Sequence, residues 1–458
     1  MLLRPMLALF LLAAGGAAQA DSAPTSAPAS RRAAAIAASA DRILAEVAEL
    51  RGVPAVAEYR VGVYAEAELR TFIETEFATE LPEPRLEFLA RAWKLAGLLP
   101  AEFDLRRGYL ELLTAQIAGF YDPRRKELRL VARDPAETDS ALAALARGLD
   151  LDEITMAHEL VHALQDARYG LLRLPLDAPL DDDLSLAARA LVEGDAVAAM
   201  MAYVFRKSGA PPDRVFNPTV ARAAVGAMNI ESLPGGKGLR TAPAWLREAL
   251  IFPYVQGLSF CLALASPARS FAPLDDAFRR PPASTEQILH PAKYAGPDRD
   301  DPQEVSLPPL SEPLGSEYVV AGTNVFGELG FRIWLDAPPA GASRAEVRAV
   351  RNAAHAAAAG WDGDRYVLYV APNRPDVLVL ASVWDSPDEA AEAGAALAGR
   401  FPPADGETPA GIVVRVAGDR VFAVRGAPLA AASNVLELLE RATKFAAKPE
   451  SRPAKESK

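Results

Sequence analysis

The sequence predicts an α+β protein: a mainly helical region over residues 33–315 with one small β-hairpin, then an α+β region over residues 316–447. Three observations predict it. Apolar residues recur at three- and four-residue spacings through much of the first 116 residues, the period of helices with one buried face. Between residues 118 and 131 the period changes to alternation, interrupted by Asp122-Pro123, which reads as strand, turn and strand. After residue 316, β-rich runs alternate with helical ones.

Residues 21–32, rich in Ala, Ser and Pro, read as a flexible leader. Helical periodicity covers 33–50, 66–76, 84–98 and 105–116, and residues 60–64 read as a short strand. Residues 138–168 read as largely helical, with a break near Gly148 to Asp150. Asp181-Asp182-Asp183 opens a long helix over 184–205, acids being favoured at a helix start, where a solvated terminus is expected. Residues 207–243 read as mostly loop, 244–266 as helix and 267–315 as proline-rich extended connections. Beyond them, 366–370 and 377–383 read as neighbouring strands and 388–398 as a helix. Residues 412–416 and 421–424 form a hairpin turning at Gly418-Asp419, and 429–447 a closing helix. The tail, 448–458, is short, charged and expected to be disordered.

Arg4 precedes an apolar run over 6–14, and Ala18-Gln19-Ala20 offers small residues to a signal peptidase. Residues 1–20 therefore read as a signal peptide, cleaved after Ala20, which places the protein in the periplasm or outside the cell. No later stretch reads as about 18 uninterrupted apolar residues, so no stable membrane span is expected. Formal net charge is −11, from 49 basic and 60 acidic residues, a balance that argues against nucleic acid and anionic membranes as partners. The lone cysteine, Cys261, excludes an internal disulfide and reads as a small buried hydrophobe.

The chemistry concentrates at His158-Glu159-Leu160-Val161-His162. Two histidines four residues apart project from one helix face. As neutral imidazoles they can share one Zn²⁺ at about 2.0–2.1 Å. Glu159 can take a proton from water activated at the metal and pass it to a leaving amine. A catalytic zinc needs a third protein ligand. Glu193 is the candidate, since its flanks from Ala187 to Ala198 are mostly apolar or small and a carboxylate there is costly unless paired or metal-bound. The competing reading pairs Glu193 with Arg189, one turn earlier. Gly194 and the neighbouring alanines would let the Glu193 helix approach the His158 helix closely. Asp195 and Asp166 compete to orient a ligand histidine.

The run Thr155-Met156-Ala157-His158-Glu159-Leu160-Val161-His162-Ala163-Leu164-Gln165-Asp166, with Val192-Glu193-Gly194-Asp195-Ala196, resembles the gluzincin metallopeptidases. It is similar especially to a poorly characterised bacterial family of exported HExxH proteins. Residues 118–123, 284–291 and 360–366 share that family's style. The resemblance covers roughly residues 105–295. It implies a zincin-like fold, a zinc held by His158, His162 and Glu193, and Glu159 as general base. The sequence departs from thermolysin-like enzymes in its longer gap to Glu193 and in lacking an Asp four residues after it.

An oxyanion needs a further donor. His290, in a Pro-bounded loop, is the catalytic candidate, with local packing as its alternative. Tyr203, Tyr254 and Tyr294 are further candidates. The strand at Gly119 to Tyr121 could bind an extended peptide through its edge, or serve as a structural hairpin. His355, in an alanine-rich helix, and the Trp361 to Arg365 turn read as architectural. Together these residues predict zinc-dependent hydrolysis of a peptide or protein substrate. Two other readings fit the pattern: a non-catalytic binding or assembly protein that retains the zinc site, and a metal-dependent cell-wall amidase.

Overall fold

The computed structural model describes residues 38–447 apart from 57, 65, 117–118, 132–150, 228–235, 297–298, 340 and 402–410. The expected signal peptide, leader and tail lie outside the described residues, as does the first part of the helix expected at 138–168. The chain is α+β.

Its first elements are α1 (Ala40–Arg51), β1 (Arg60–Tyr64), α2 (Glu66–Glu80), α3 (Glu83–Leu95), α4 (Leu105–Gln116), β2 (Gly119–Asp122) and β3 (Glu127–Val131). The strands form one sheet in the order β1-β3-β2. β2 and β3 make the expected antiparallel hairpin, with Phe120 opposite Arg129. The Asp122 side chain accepts from the Arg124 and Arg125 amides and closes the turn. β1 joins this pair in parallel, a long-range pairing that local periodicity does not report. β2 is left at the sheet's edge, against α5 (Leu151–Tyr169).

α5 carries Asp152 and Glu153 in its first turn, where the helix dipole favours acids. It ends at Gly170, whose φ of +69° suits glycine. α6 (Asp182–Lys207) starts with the Asp181 carboxylate accepting from the Leu184 amide at 2.9 Å. Nearly every residue of α6 from Ser185 to Val204 is buried, the mark of a central helix. The expected loop at 207–243 instead holds α7 (Pro218–Ala227) and α8 (Gly236–Thr241).

α9 (Ala244–Ala265) packs on α6 through glycine. A Cβ on Gly194 would lie 2.2 Å from the Gly257 carbonyl carbon, and one on Gly257 2.1 Å from the Ala190 oxygen. Gly194 thus serves the approach of α6 to α9 rather than to the His158 helix. Backbone meets backbone there, so neither side can yield. Gly194→Ala is expected to cost more than the roughly 1–3 kcal/mol of ordinary overpacking, read as a lower urea midpoint. By length and composition alone α9 is apolar enough to cross a membrane. In this fold it is core: Leu250, Phe252, Leu258, Phe260 and Cys261 are buried.

Short elements replace the extended connections expected at 267–315: α10 (Ala272–Arg279), α11 (Thr285–Leu289), α12 (Pro291–Ala295), β4 (Gln303–Ser306) and α13 (Ser311–Leu314). Prolines sit in the first turn of α10 and α12, where the missing N–H costs no intrahelical hydrogen bond. Here they start elements instead of breaking them.

The C-terminal part contains β5 (Val319–Asn324), α14 (Gly327–Leu335), α15 (Arg344–Ala358), β6 (Trp361–Val370), β7 (Val377–Trp384), α16 (Pro387–Arg400), β8 (Ile412–Ala417), β9 (Arg420–Arg425), α17 (Leu429–Ala442) and β10 (Lys444–Ala447). Five strands make an antiparallel sheet in the order β5-β6-β7-β9-β8. The 412–425 hairpin turns at Gly418, φ +61°, as expected. The closing helix stops at Ala442, because β10 leaves it to pair with β4, Phe445 opposite Val305.

The boundary expected at 315/316 does not divide the core. Phe326 stacks on Tyr366 at 4.1 Å and meets Trp245 edge-on at 6.1 Å. The Trp334 indole donates to the Ala96 carbonyl at 2.7 Å. Polar contacts converge at the start of α6, whose acids are buried rather than solvated. Asp182 accepts from the Asn324 amide at 2.7 Å, and Asp183 accepts from the Thr285 amide and hydroxyl. Asp364 accepts from the Phe326 and Gly327 amides and the Trp361 indole. These contacts give residues 284–291 and 360–366 an architectural role.

Candidate metal centre

α5 supplies His158, Glu159 and His162, and α6 supplies Glu193. His158 Nε2 lies 3.1 Å from His162 Nε2. Glu193 Oε2 lies 3.2 Å from His158 Nε2 and 3.6 Å from His162 Nε2. Donors bonded tetrahedrally to zinc at about 2.0–2.1 Å stand about 3.3 Å apart. The three side chains therefore have the composition and spacing of a zinc ligand set. Four helical residues bring the imidazoles together, and the contact between α5 and α6 brings the carboxylate.

All three ligand candidates and Glu159 are buried. Burial alone would raise the Glu193 carboxyl, but His162 and His158 outweigh it and hold it below its ordinary range. Burial pushes His158 down to about 4, helped by the His162 ring and opposed by Glu193. Burial pulls His162 the same way, yet Glu193 overcomes it and takes that ring up to about 9. The carboxylate's charge is thus spent on the two rings. Arg189, the competing partner, is buried in the field of Glu80 and Asp177 first and of Glu193 after them.

Glu159 is in the opposite position. Neither of its oxygens meets a side-chain partner among the described residues, and the Tyr121 backbone approaches it only loosely. Burial, with Glu193 adding to it, raises its carboxyl well above the usual range, and the His162 ring and Tyr121 backbone only partly ease this. A buried carboxylate with a raised affinity for protons suits a general base.

The partner that orients His162 is a residue the sequence reading missed. Gln165 Oε1 accepts from His162 Nδ1 at 2.7 Å. Its amide nitrogen donates to Asp195 Oδ2 at 2.9 Å and to the Val192 carbonyl at 3.0 Å. Asp195 therefore reaches a ligand histidine through Gln165 and not directly. The available signal was a polar residue three positions after His162, on the same helix face. Asp166 takes no part in this contact; it accepts from the Tyr121 hydroxyl at 3.1 Å and the Leu171 amide at 3.0 Å.

His290 is not brought to the triad. Its Nε2 lies 3.0 Å from Glu328 Oε1 and 3.3 Å from Arg332, so its ring joins α14 and its local-packing alternative describes it. Tyr203 donates to Glu153, and Tyr294 donates to the Arg280 carbonyl at 2.9 Å. Tyr254 is buried near Arg189, and His355 is exposed on α15. Cys261 is buried, its thiol directed at the Leu191 carbonyl. A second acidic group, Glu286, Asp300 and Asp385, already encloses the Lys293 ammonium at 2.6, 2.9 and 2.6 Å.

A family model described as a domain of unknown function, DUF8575, matches residues 316–436. The match covers β5 to most of α17 and contains none of the triad residues. No curated protein and no solved structure matches the chain.

Proposed function

We propose that the protein is a zinc-dependent metallopeptidase of the gluzincin type, with His158, His162 and Glu193 as ligands and Glu159 as general base. One observation carries the reading: three donors of the right kind converge at ligand spacing, and the neighbouring carboxylate is buried with no side-chain hydrogen-bond partner among the described residues. A Zn²⁺ bound there supplies Lewis acidity, making water acidic enough to ionise near neutral pH and polarising a carbonyl. Glu159 accepts the proton of the attacking water and delivers it to the leaving amine. Gln165 holds the His162 ring so that Nε2 faces the centre. The edge of β2 runs beside Glu159 and can align an extended peptide by main-chain hydrogen bonds. The intact, raised Glu159 favours catalysis over a structural site, which needs no such base. Export through residues 1–20 belongs to the same proposal.

The test is hydrolysis of casein and a quenched peptide library by zinc-loaded, chelator-stripped and zinc-restored protein. Cleavage should vanish on stripping and return with zinc. Stoichiometric zinc without cleavage of any peptide would favour the binding or assembly reading. Zinc should also stabilise the fold by about 2.7 kcal/mol at a hundredfold excess over Kd, read as a higher melting temperature, and a melt indifferent to zinc would count against the site.

A further inference from the structure

We infer that Arg51, at the end of the N-terminal helix α1, is a positioning residue of the metal centre. Acting through Asp195 and Gln165, it fixes which nitrogen of His162 is left for the ion. The inference rests on the metal-centre reading above and adds a remote partner to it.

The path is a run of buried polar contacts with one allowed direction. Arg51 Nε donates to Asp195 Oδ1 at 2.7 Å, and both side chains are buried, at 3% and 0% exposure. Asp195 Oδ2 then accepts from the Gln165 amide nitrogen at 2.9 Å. The same nitrogen donates to the Val192 carbonyl at 3.0 Å. Two acceptors thus claim the amide protons, and Gln165 has only its oxygen to offer His162 Nδ1. In the neutral ring that a metal requires, Nδ1 must therefore carry the proton, so Nε2, on the side of His158 and Glu193, is the nitrogen left for the ion.

Arg51 is itself held from outside. Its Nη1 pairs with Asp275 at 3.1 Å, and Asp275 also accepts from the Tyr169 hydroxyl at 2.6 Å and from Arg168 at 2.7 Å. Without Arg51, Asp195 becomes an uncompensated buried charge. Its carboxylate is then no longer fixed by a second contact, so the Gln165 amide is anchored mainly by the Val192 carbonyl, and its oxygen is presented less firmly to His162 Nδ1, which loosens the ring at the ion's position.

The test compares zinc affinity, by competition with a chromophoric chelator, and the absorption spectrum of the cobalt(II) form in full-length variants. Arg51→Gln should weaken zinc binding about 10- to 100-fold, the range of outer partners of metal ligands, and shift the cobalt bands. Arg206→Gln is the control. It breaks the pair of Arg206 with Glu49 on the same helix without touching the path, and should leave both readouts unchanged. In a Gln165→Leu background, Arg51→Gln should add little, because the two act in series. A merely structural role for Arg51 predicts additive losses instead. Parent-like zinc affinity in Arg51→Gln overturns the inference. If that variant does not fold, the same criterion applies to Asp275→Asn at the partly exposed end. Absence of zinc binding by the parent protein would instead remove the metal-centre reading itself.

Discussion

Glu159→Gln is expected to keep its zinc and lose peptide hydrolysis, with kcat/KM falling about 10²–10⁴-fold. The amide copies the shape of the carboxylate but cannot take a proton from water. None of the three ligand donors is removed, so zinc content and the cobalt spectrum should match the parent. Stability has a definite sign as well. Burial raises the Glu159 carboxyl well above its ordinary value, so the folded protein resists the charge that the unfolded chain carries freely at neutral pH. A neutral isostere avoids that cost, and the variant should melt at or above the parent temperature. Full activity in Glu159→Gln would sink the mechanism, whereas lost activity with a lowered melt would mean only a damaged fold.

Glu193→Gln should give the opposite pattern: zinc affinity collapses, and hydrolysis fails because the ion is gone. Its Oε2 faces both imidazole Nε2 atoms, and the charge it brings is what raises His162. The loss should exceed the roughly hundredfold effect of changing an outer partner of a ligand. Excess zinc should restore part of the activity of Glu193→Gln and none of that of Glu159→Gln. Chelator competition together with activity at rising zinc separates the ligand from the base. Unchanged zinc affinity in Glu193→Gln would remove it from the ligand set.

The donors were legible in the sequence because each carries a local signal. His158 and His162 share a helix face by spacing alone, and Glu193 was conspicuous as a carboxylate among alanines and valines. The relation between them is tertiary. Gly194 illustrates the limit: its small size was readable, but its target was not, and the structure gives it to Gly257 on α9. Arg51 lies one residue past the helix expected at 33–50 and drew no reading, since its burial against Asp195, 144 residues on, leaves no periodic trace. His290 was misleading because loop histidines between prolines suit catalysis, whereas Glu328, which occupies it, lies on a helix 38 residues later. The α+β class and the β8-β9 hairpin were readable because alternation and turn residues are local. Short helices beginning at proline were missed because proline marks both a break and a first turn.

The aromatic seam across residue 315 separates inheritance from autonomy. The stretch matched by the family model can recur among proteins as a unit, yet in this chain it does not close its own interior. Phe326, Phe331 and Trp334 belong to the same cluster as Phe88, Trp93 and Trp245, each such side chain contributing about 1.5–3 kcal/mol on burial. Shortening the protein at the edge of that match would strip the half that carries His158, His162 and Glu193 of its inner wall and leave both pieces sticky. Tests of the proposed zinc site therefore call for the unshortened chain.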